Sequence, residues 1–243
     1  DFQKLSVCSY KEGGLARELL YLKLLLEKVK GENVPVIFTV FSPITTADKL
    51  SGKQLVRYIE QGCHSQIKHA LDVITETTAN LTKAAIELGA DGVFFASQMS
   101  SYDVLSPKIY EEYGKPYDLQ VLHAAENGWM NVLHAHGKNI MFEILKEYPV
   151  PIFNWHAWET LPAIDEAFAL TGKCLMGGLS RADITTCNKN AIQHQVFECC
   201  KMMNGRHLIL TPGCVIRYPL NQSMLEYVKR VKDCIESVTV GAH

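Results

Sequence analysis

No long apolar run interrupts this 243-residue chain. Its most hydrophobic stretch, Val34 to Val40, has the length of a strand and falls far short of the ~20 residues that cross a bilayer. Charge of one sign is also lacking: 24 Lys and Arg stand against 26 Asp and Glu, a formal net charge of −2, which leaves no basic footprint for nucleic acid. The dinucleotide fingerprint G-x-G-x-x-G, the phosphate loop G-x-x-x-x-G-K-[ST], the nucleophile elbow G-x-S-x-G and the zinc-protease motif H-E-x-x-H are all missing. Eight cysteines are present without any Cys-x-x-Cys pair. A chain of this length buries a sizeable core without staples, so seven of the cysteines, all but Cys214, read as small buried residues in a reduced, cytoplasmic protein. Neither a basic-then-apolar leader nor an initial Met opens the chain, and the expectation is that it starts inside a longer natural protein.

What is present is an alternation of helical and strand patterns. Glu12 to Lys30 has apolar residues at helical spacing and ends at Gly31; helical stretches follow over Leu55–Gly89, Pro107–Glu126 with a break near Gly114, Ile140–Tyr148, Leu161–Leu170, Ala191–Met203 and Asn221 to about Ser237. Between them lie six short apolar runs, Val34–Phe41, Gly92–Ser97, Asn131–His136, Pro151–Trp155, Cys174–Gly178 and His207–Thr211. Continuous apolar strands separated by helices predict an α/β fold with a covered parallel sheet, either doubly wound or a (β/α)8 barrel. Without a glycine-rich turn after the first strand, the nucleotide-binding version of the former is disfavoured.

Chemistry in such folds gathers beyond the carboxyl ends of the strands. Those ends carry Ser42 and Thr45, Ser97 and Gln98, His134 and His136, Asn154 and His156, Ser180 and Arg181, and Thr211 and Cys214. His134-Ala-His136 is the sharpest feature, because residues i and i+2 of a strand share a face and their imidazoles can converge. Cys214, in Thr-Pro-Gly-Cys after the last strand, would complete a three-ligand zinc set with one position open. The same residues also fit two histidines hydrogen-bonded in a polar pocket with a small buried cysteine. His156 is a candidate acid–base or orienting group, and Arg181 and Arg217 can grip carboxylates in bidentate fashion. Trp155 and Trp158 fit either a flat cavity wall or plain core packing. His64, His69, His123 and His194 lie in or at the ends of helical stretches and read as ordinary residues.

Four segments carry a resemblance: Val34-Pro-Val-Ile-Phe-Thr-Val-Phe-Ser-Pro-Ile-Thr-Thr-Ala, Asp91-Gly-Val-Phe-Phe-Ala-Ser, Leu133-His-Ala-His-Gly and Thr211-Pro-Gly-Cys-Val-Ile. In order and spacing, over roughly Leu5 to Ser237, they resemble the uroporphyrinogen decarboxylase superfamily. The resemblance implies one (β/α)8 TIM-barrel domain over residues 1–243 that lacks its first two strands, since the superfamily's Arg-rich signature and catalytic Asp have no counterpart here. It also implies an activity of one of two kinds. Corrinoid-linked methyltransferases of the superfamily use zinc, held by His-x-Cys and a distant Cys, to turn a thiol into an attacking thiolate; His134 matches the His, His136 stands in place of the first Cys, and Cys214 matches the second. A corrinoid as methyl donor, a thiol acceptor and a corrinoid carrier protein as partner follow from that reading. Uroporphyrinogen decarboxylase itself removes carboxyls from a tetrapyrrole without cofactor, and a silent tetrapyrrole- or partner-binding barrel is the remaining alternative. On the methyltransferase reading His134, His136 and Cys214 hold metal, His156 and Arg181 are catalytic, and Ser42, Ser97, Gln98, Asn154 and Arg217 contact the cofactor.

Overall fold

The computed structural model describes residues 2–231. Six strands alternate with helices: α1 (Gly13–Lys28), β1 (Ile37–Phe41), α2 (Pro43–Leu50), α3 (Leu55–Glu60), α4 (His64–Glu87), β2 (Gly92–Ser97), α5 (Pro107–Tyr113), α6 (Lys115–Ala124), β3 (Val132–Ala135), α7 (Phe142–Leu145), β4 (Ile152–Trp155), α8 (Ile164–Thr171), β5 (Cys174–Leu179), α9 (Arg181–Thr185), α10 (Lys189–Met203), β6 (Leu208–Pro212) and α11 (Gln222–Lys229). All neighbouring strands are parallel, and the sheet order is strictly sequential from β1 to β6. A doubly wound sheet reverses its order at a switch point; this one never does, which is the winding of a (β/α) barrel. Among the described residues β1 pairs only with β2 and β6 only with β5, in keeping with the six strands expected.

The helical expectations mostly hold, with corrections that have local causes. The stretch Leu161–Leu170 becomes helical only at Ile164, because Pro162 biases the residue before it away from helix and Ala163 is the N-cap. Ile140–Tyr148 contracts to the single turn Phe142–Leu145. Two short helices went unforeseen: α2, started by Pro43 at its first turn directly after β1, and α9, capped by the Ser180 hydroxyl, which accepts from Asp183 N. The helix expected over Asn221 to about Ser237 runs Gln222–Lys229 with Arg230 as its C-cap, and residues 232–237 lie outside the described residues. Cysteine burial is the larger correction. Cys199 is buried, but of the others expected to be buried Cys8 and Cys187 are exposed and Cys63, Cys174 and Cys200 are intermediate; Cys234 lies outside the described residues. All seven described cysteines are free thiols. No helix among the described residues is long and apolar enough to cross a membrane.

The two faces of the sheet do different work. Val93, Phe95, Leu133, Ala135, Phe153 and Trp155 point into the main core with the helices. The opposite parity places Val132, Ile152 and Met176 in a separate apolar layer with Met130, flanked by Ile37, Phe94, Cys174 and Ile209. That inner layer is the floor of the site, since the next residue of the same parity on β3 is His134 and on β4 is Asn154.

Within the helix-facing core sits a polar island. Asp118 of α6 is fully buried, and its Oδ2 accepts from Tyr110 Oη at 2.6 Å and Tyr148 Oη at 2.9 Å. Burial, only partly offset by those hydroxyls, pushes its carboxyl up to about 6.

Candidate metal centre

Parallel pairing sets His134 beside Asn154, and Asn154 beside Met176. The Asn154 amide Nδ2 donates to Met176 O at 2.6 Å, which turns its Oδ1 toward His134 Nδ1 at 2.5 Å. His134 therefore carries its proton on Nδ1 and keeps the Nε2 lone pair free, the outer-sphere arrangement of metal-bound histidines. The ring stacks on Phe94 with centroids 5.2 Å apart. Burial drives its pKa down to about 4, against the Asn154 hydrogen bond, with repulsion from His136 and His156 adding to the drop.

Two residues further along each strand, with the same parity, stand His136 and His156, whose rings meet edge-on at 5.1 Å. His156 is 3% exposed, and its Nε2 is buried with no hydrogen-bond partner. Burial first and the nearby Arg181 second lower its pKa to about 4, while Glu159 opposes. Half-buried His136 is lowered by burial, then by Arg181 and Lys49. All three imidazoles are thus neutral at pH 7, as metal ligands must be.

Cys214 arrives from the far end of the chain. Its Sγ lies 3.6 Å from His136 Nδ1, across a sequence separation of 78. Gly213 makes this approach possible: a Cβ there would meet Trp155 O at 2.7 Å and His156 Cα at 3.0 Å. Gly213→Ala should therefore leave most of the fold in place but push Cys214 outward, lowering metal affinity by at least tenfold in chelator competition; unchanged affinity would refute this role.

One ligand atom from each of His134, His136, His156 and Cys214 lies within 4.8 Å of all the others. The orphaned, buried His156 Nε2 is the atom that tests whether the set fits an ion: an unpaired buried acceptor costs about 1–3 kcal/mol, and coordination satisfies it. Borderline nitrogen and sulfur donors around one point suit Zn2+.

Three of the four converging residues are the expected ligands, and His156, expected as an acid–base or orienting group, lies among them as a fourth candidate. Its signal was available, since Asn154 and His156 repeat on β4 the i, i+2 parity of His134 and His136 on β3. Glu159 was missed. The turn after β4, in which Glu159 N and Thr160 N donate to His156 O, folds it back over the ring, with its Oε2 3.6 Å from His156 Nδ1. Arg181 does not reach into the centre. It clamps Glu159 through Nε at 3.1 Å and a second guanidinium nitrogen at 3.3 Å.

The expected cofactor contacts divide. Asn154 touches His134, as above. Ser97 does not face the centre: it shares parity with Phe95 and its Oγ meets Tyr110 Oη at 3.3 Å in the helix-facing island. Ser42, the N-cap of α2, is likewise fully buried beside Asp118, without a hydrogen bond of ordinary geometry. Gln98 is half-buried, with its backbone N donating to Thr45 Oγ1 at 2.9 Å, and Arg217 is exposed on the loop after β6. Of the two tryptophans, Trp155 is buried in the core and donates to Pro162 O, whereas Trp158 is 41% exposed and donates to Gly178 O.

Fold and site together define an α/β-barrel protein with a nitrogen–sulfur centre at the carboxyl ends of its strands. The sequence profile of uroporphyrinogen decarboxylase (URO-D) matches residues 1–237, and the chain belongs to that family. It is 27% identical over 124 residues to the methylcobamide:CoM methyltransferase MtbA of Methanosarcina acetivorans, a match covering 51% of this chain and 36% of the relative. With the methylcobamide:CoM methyltransferase MtaA of Methanosarcina barkeri it shares 32% over 118 residues, 48% of this chain and 34% of the other. These matches span about a third of each curated relative's own length. A solved methyltransferase from Methanosarcina mazei superposes with a TM-score of 0.82 at 20% identity, over 97% of this chain and 69% of that one, which confirms the barrel fold.

Proposed function

We propose that this chain carries the catalytic centre of a zinc-assisted methyltransferase that moves a methyl group from a corrinoid to a thiol. The observation that supports the reading most is the convergence of three neutral imidazoles and one thiol within 4.8 Å at the mouth of the barrel. His134, His136 and Cys214 hold the ion, with His156 as the further ligand within reach. Bound there, zinc lowers the pKa of a coordinated thiol so that the nucleophilic thiolate persists at neutral pH.

The chain's own residues set the conditions for that chemistry. Asn154 fixes the His134 tautomer, the apolar layer of Val132, Ile152 and Met176 closes the floor against water, and Phe94 backs the His134 ring. Cys214 supplies the single anionic ligand. The positive field of Lys49, which adds to the lowering of His136, suits an acceptor thiol that carries an anionic group. The relatives are named for such a reaction, with methylcobamide as donor and CoM as acceptor, and a corrinoid carrier protein is the proposed partner. Tetrapyrrole decarboxylation has less support: of the two arginines expected to grip substrate carboxylates, Arg181 is committed to Glu159 and Arg217 is exposed on the loop after β6.

The test is direct. Zinc-loaded protein incubated with methylcobalamin and 2-mercaptoethanesulfonate should produce cob(I)alamin, followed by its absorbance, together with the methyl thioether, and chelation should stop the reaction. A protein that takes up no zinc, or loads zinc but demethylates neither free nor carrier-bound methylcorrinoid, sinks the proposal.

A further inference from the structure

Outside the ligand set itself, one arrangement at the centre has no part in the reaction described above. Glu159 is 31% exposed at its side chain and Arg181 20%, and a partly exposed pair of this kind adds little to stability. Yet it is bidentate, and it holds the Glu159 carboxylate over one nitrogen of a histidine whose other nitrogen is buried and unpartnered. A carboxylate beside Nδ1 draws the imidazole proton to that nitrogen and leaves Nε2 as a lone pair. The backbone enforces the placement, because the turn closed by Glu159 N and Thr160 N on His156 O fixes the carboxylate three residues ahead of the ring it serves.

We propose that Glu159, clamped by Arg181, is a positioning residue that orients His156 so that its Nε2 serves as the fourth protein ligand of the centre while no thiol occupies that position. The 3.6 Å contact between Glu159 and His156 Nδ1 shortens to a hydrogen bond when Nε2 is engaged, as hydrogen bonds at active centres commonly tighten on loading. His134 and His156 then form a matched pair on neighbouring strands. Each is held through Nδ1 from outside, one by the Asn154 amide and the other by a clamped carboxylate, and each presents Nε2 inward. The inference rests on the zinc reading above.

Zinc affinity of the whole chain, measured by competition with a chromophoric chelator, and the visible spectrum of the Co2+-substituted protein test it together. Glu159→Gln and Arg181→Gln should each weaken zinc binding roughly 10- to 100-fold, the range for lost outer-sphere partners, and Arg181→Lys should restore part of the loss. The Co2+ bands of Glu159→Gln should move toward those of His156→Ala. Glu159→Gln added to His156→Ala should cause no further loss, because its effect runs only through that ring. Arg181→Gln keeps the carboxylate in the chain, so it remains informative if Glu159→Gln folds poorly by circular dichroism. Wild-type affinity in both Gln variants, or an equal loss with and without His156, overturns the proposal. Absence of zinc uptake by the wild-type chain overturns the zinc reading itself, and shows in the first titration before any variant is compared.

Discussion

Replacing His134 or Cys214 with Ala should lower zinc affinity by two to three orders of magnitude, whereas Ser97→Ala should leave it unchanged. Structural zinc in small sites is worth roughly 10–16 kcal/mol. Shared among three or four ligands this is about 3–4 kcal/mol each, or a factor of ~10²–10³. Cys214→Ala should be the worse of the two because it removes the single anionic ligand and leaves neutral imidazoles around a dication. Ser97 is the informative control. It ends β2, the strand paired with the one that carries His134, but its hydroxyl faces Tyr110 on the other side of the sheet. Chelator competition on the three variants decides the matter; a loss in Ser97→Ala equal to that in His134→Ala would show that affinity tracks general damage to the barrel. His136→Cys should act in the opposite sense, since a second thiolate lowers the net charge of the loaded centre from +1 to zero and tightens the site.

That control also shows where the sequence was legible. Parity within a strand can be read without the structure, so His134 with His136, and Asn154 with His156, could be assigned to common faces. Which face turns inward was another matter. The run Val93-Phe94-Phe95-Ala96 is apolar on both sides, as parallel strands covered on both faces are, and it gives no alternation to orient Ser97. Winding was similarly hidden, because helix–strand alternation is common to doubly wound sheets and barrels and only the sequential strand order separates them. Cys214 stood out through its Pro-Gly-Cys turn, although the reason for the glycine, close passage over Trp155 and His156, is a tertiary contact. Glu159 sits three residues past His156 in a turn without periodic signal, where a glutamate reads as solvated. Asp118 was missed for a related reason: a helix pattern marks an apolar face but does not reveal that one carboxylate on α6 turns inward to two tyrosines from α5 and the segment after α7.

Asp118 and His134 should drive the acid stability of the metal-free protein in opposite directions, and Asp118→Asn should expose the difference. In the folded chain Asp118 titrates near 6, above its ordinary 3.8, so between these values the native state binds more protons than the unfolded one and stability falls as pH rises. His134 titrates near 4, below its ordinary 6.5, so over an overlapping window the unfolded state binds more protons and stability rises with pH. Each contribution is on the order of 3 kcal/mol, since a tenfold change in proton affinity between the two states is worth about 1.36 kcal/mol. These two therefore nearly cancel, and the lowered values of His156 and His136 leave a net gain toward neutrality. The amide introduced by Asp118→Asn would keep an acceptor for Tyr110 and Tyr148 and turn its nitrogen toward the Ser42 hydroxyl, while removing the ionisation. The Asp118→Asn chain should therefore gain on the wild type by roughly 3 kcal/mol between pH 4 and pH 7, read from urea unfolding at a series of pH values with chelator present. A stability difference that stays flat across that range would mean that Asp118 ionises at its ordinary value, and that its two tyrosine hydroxyls fully offset the burial of its charge.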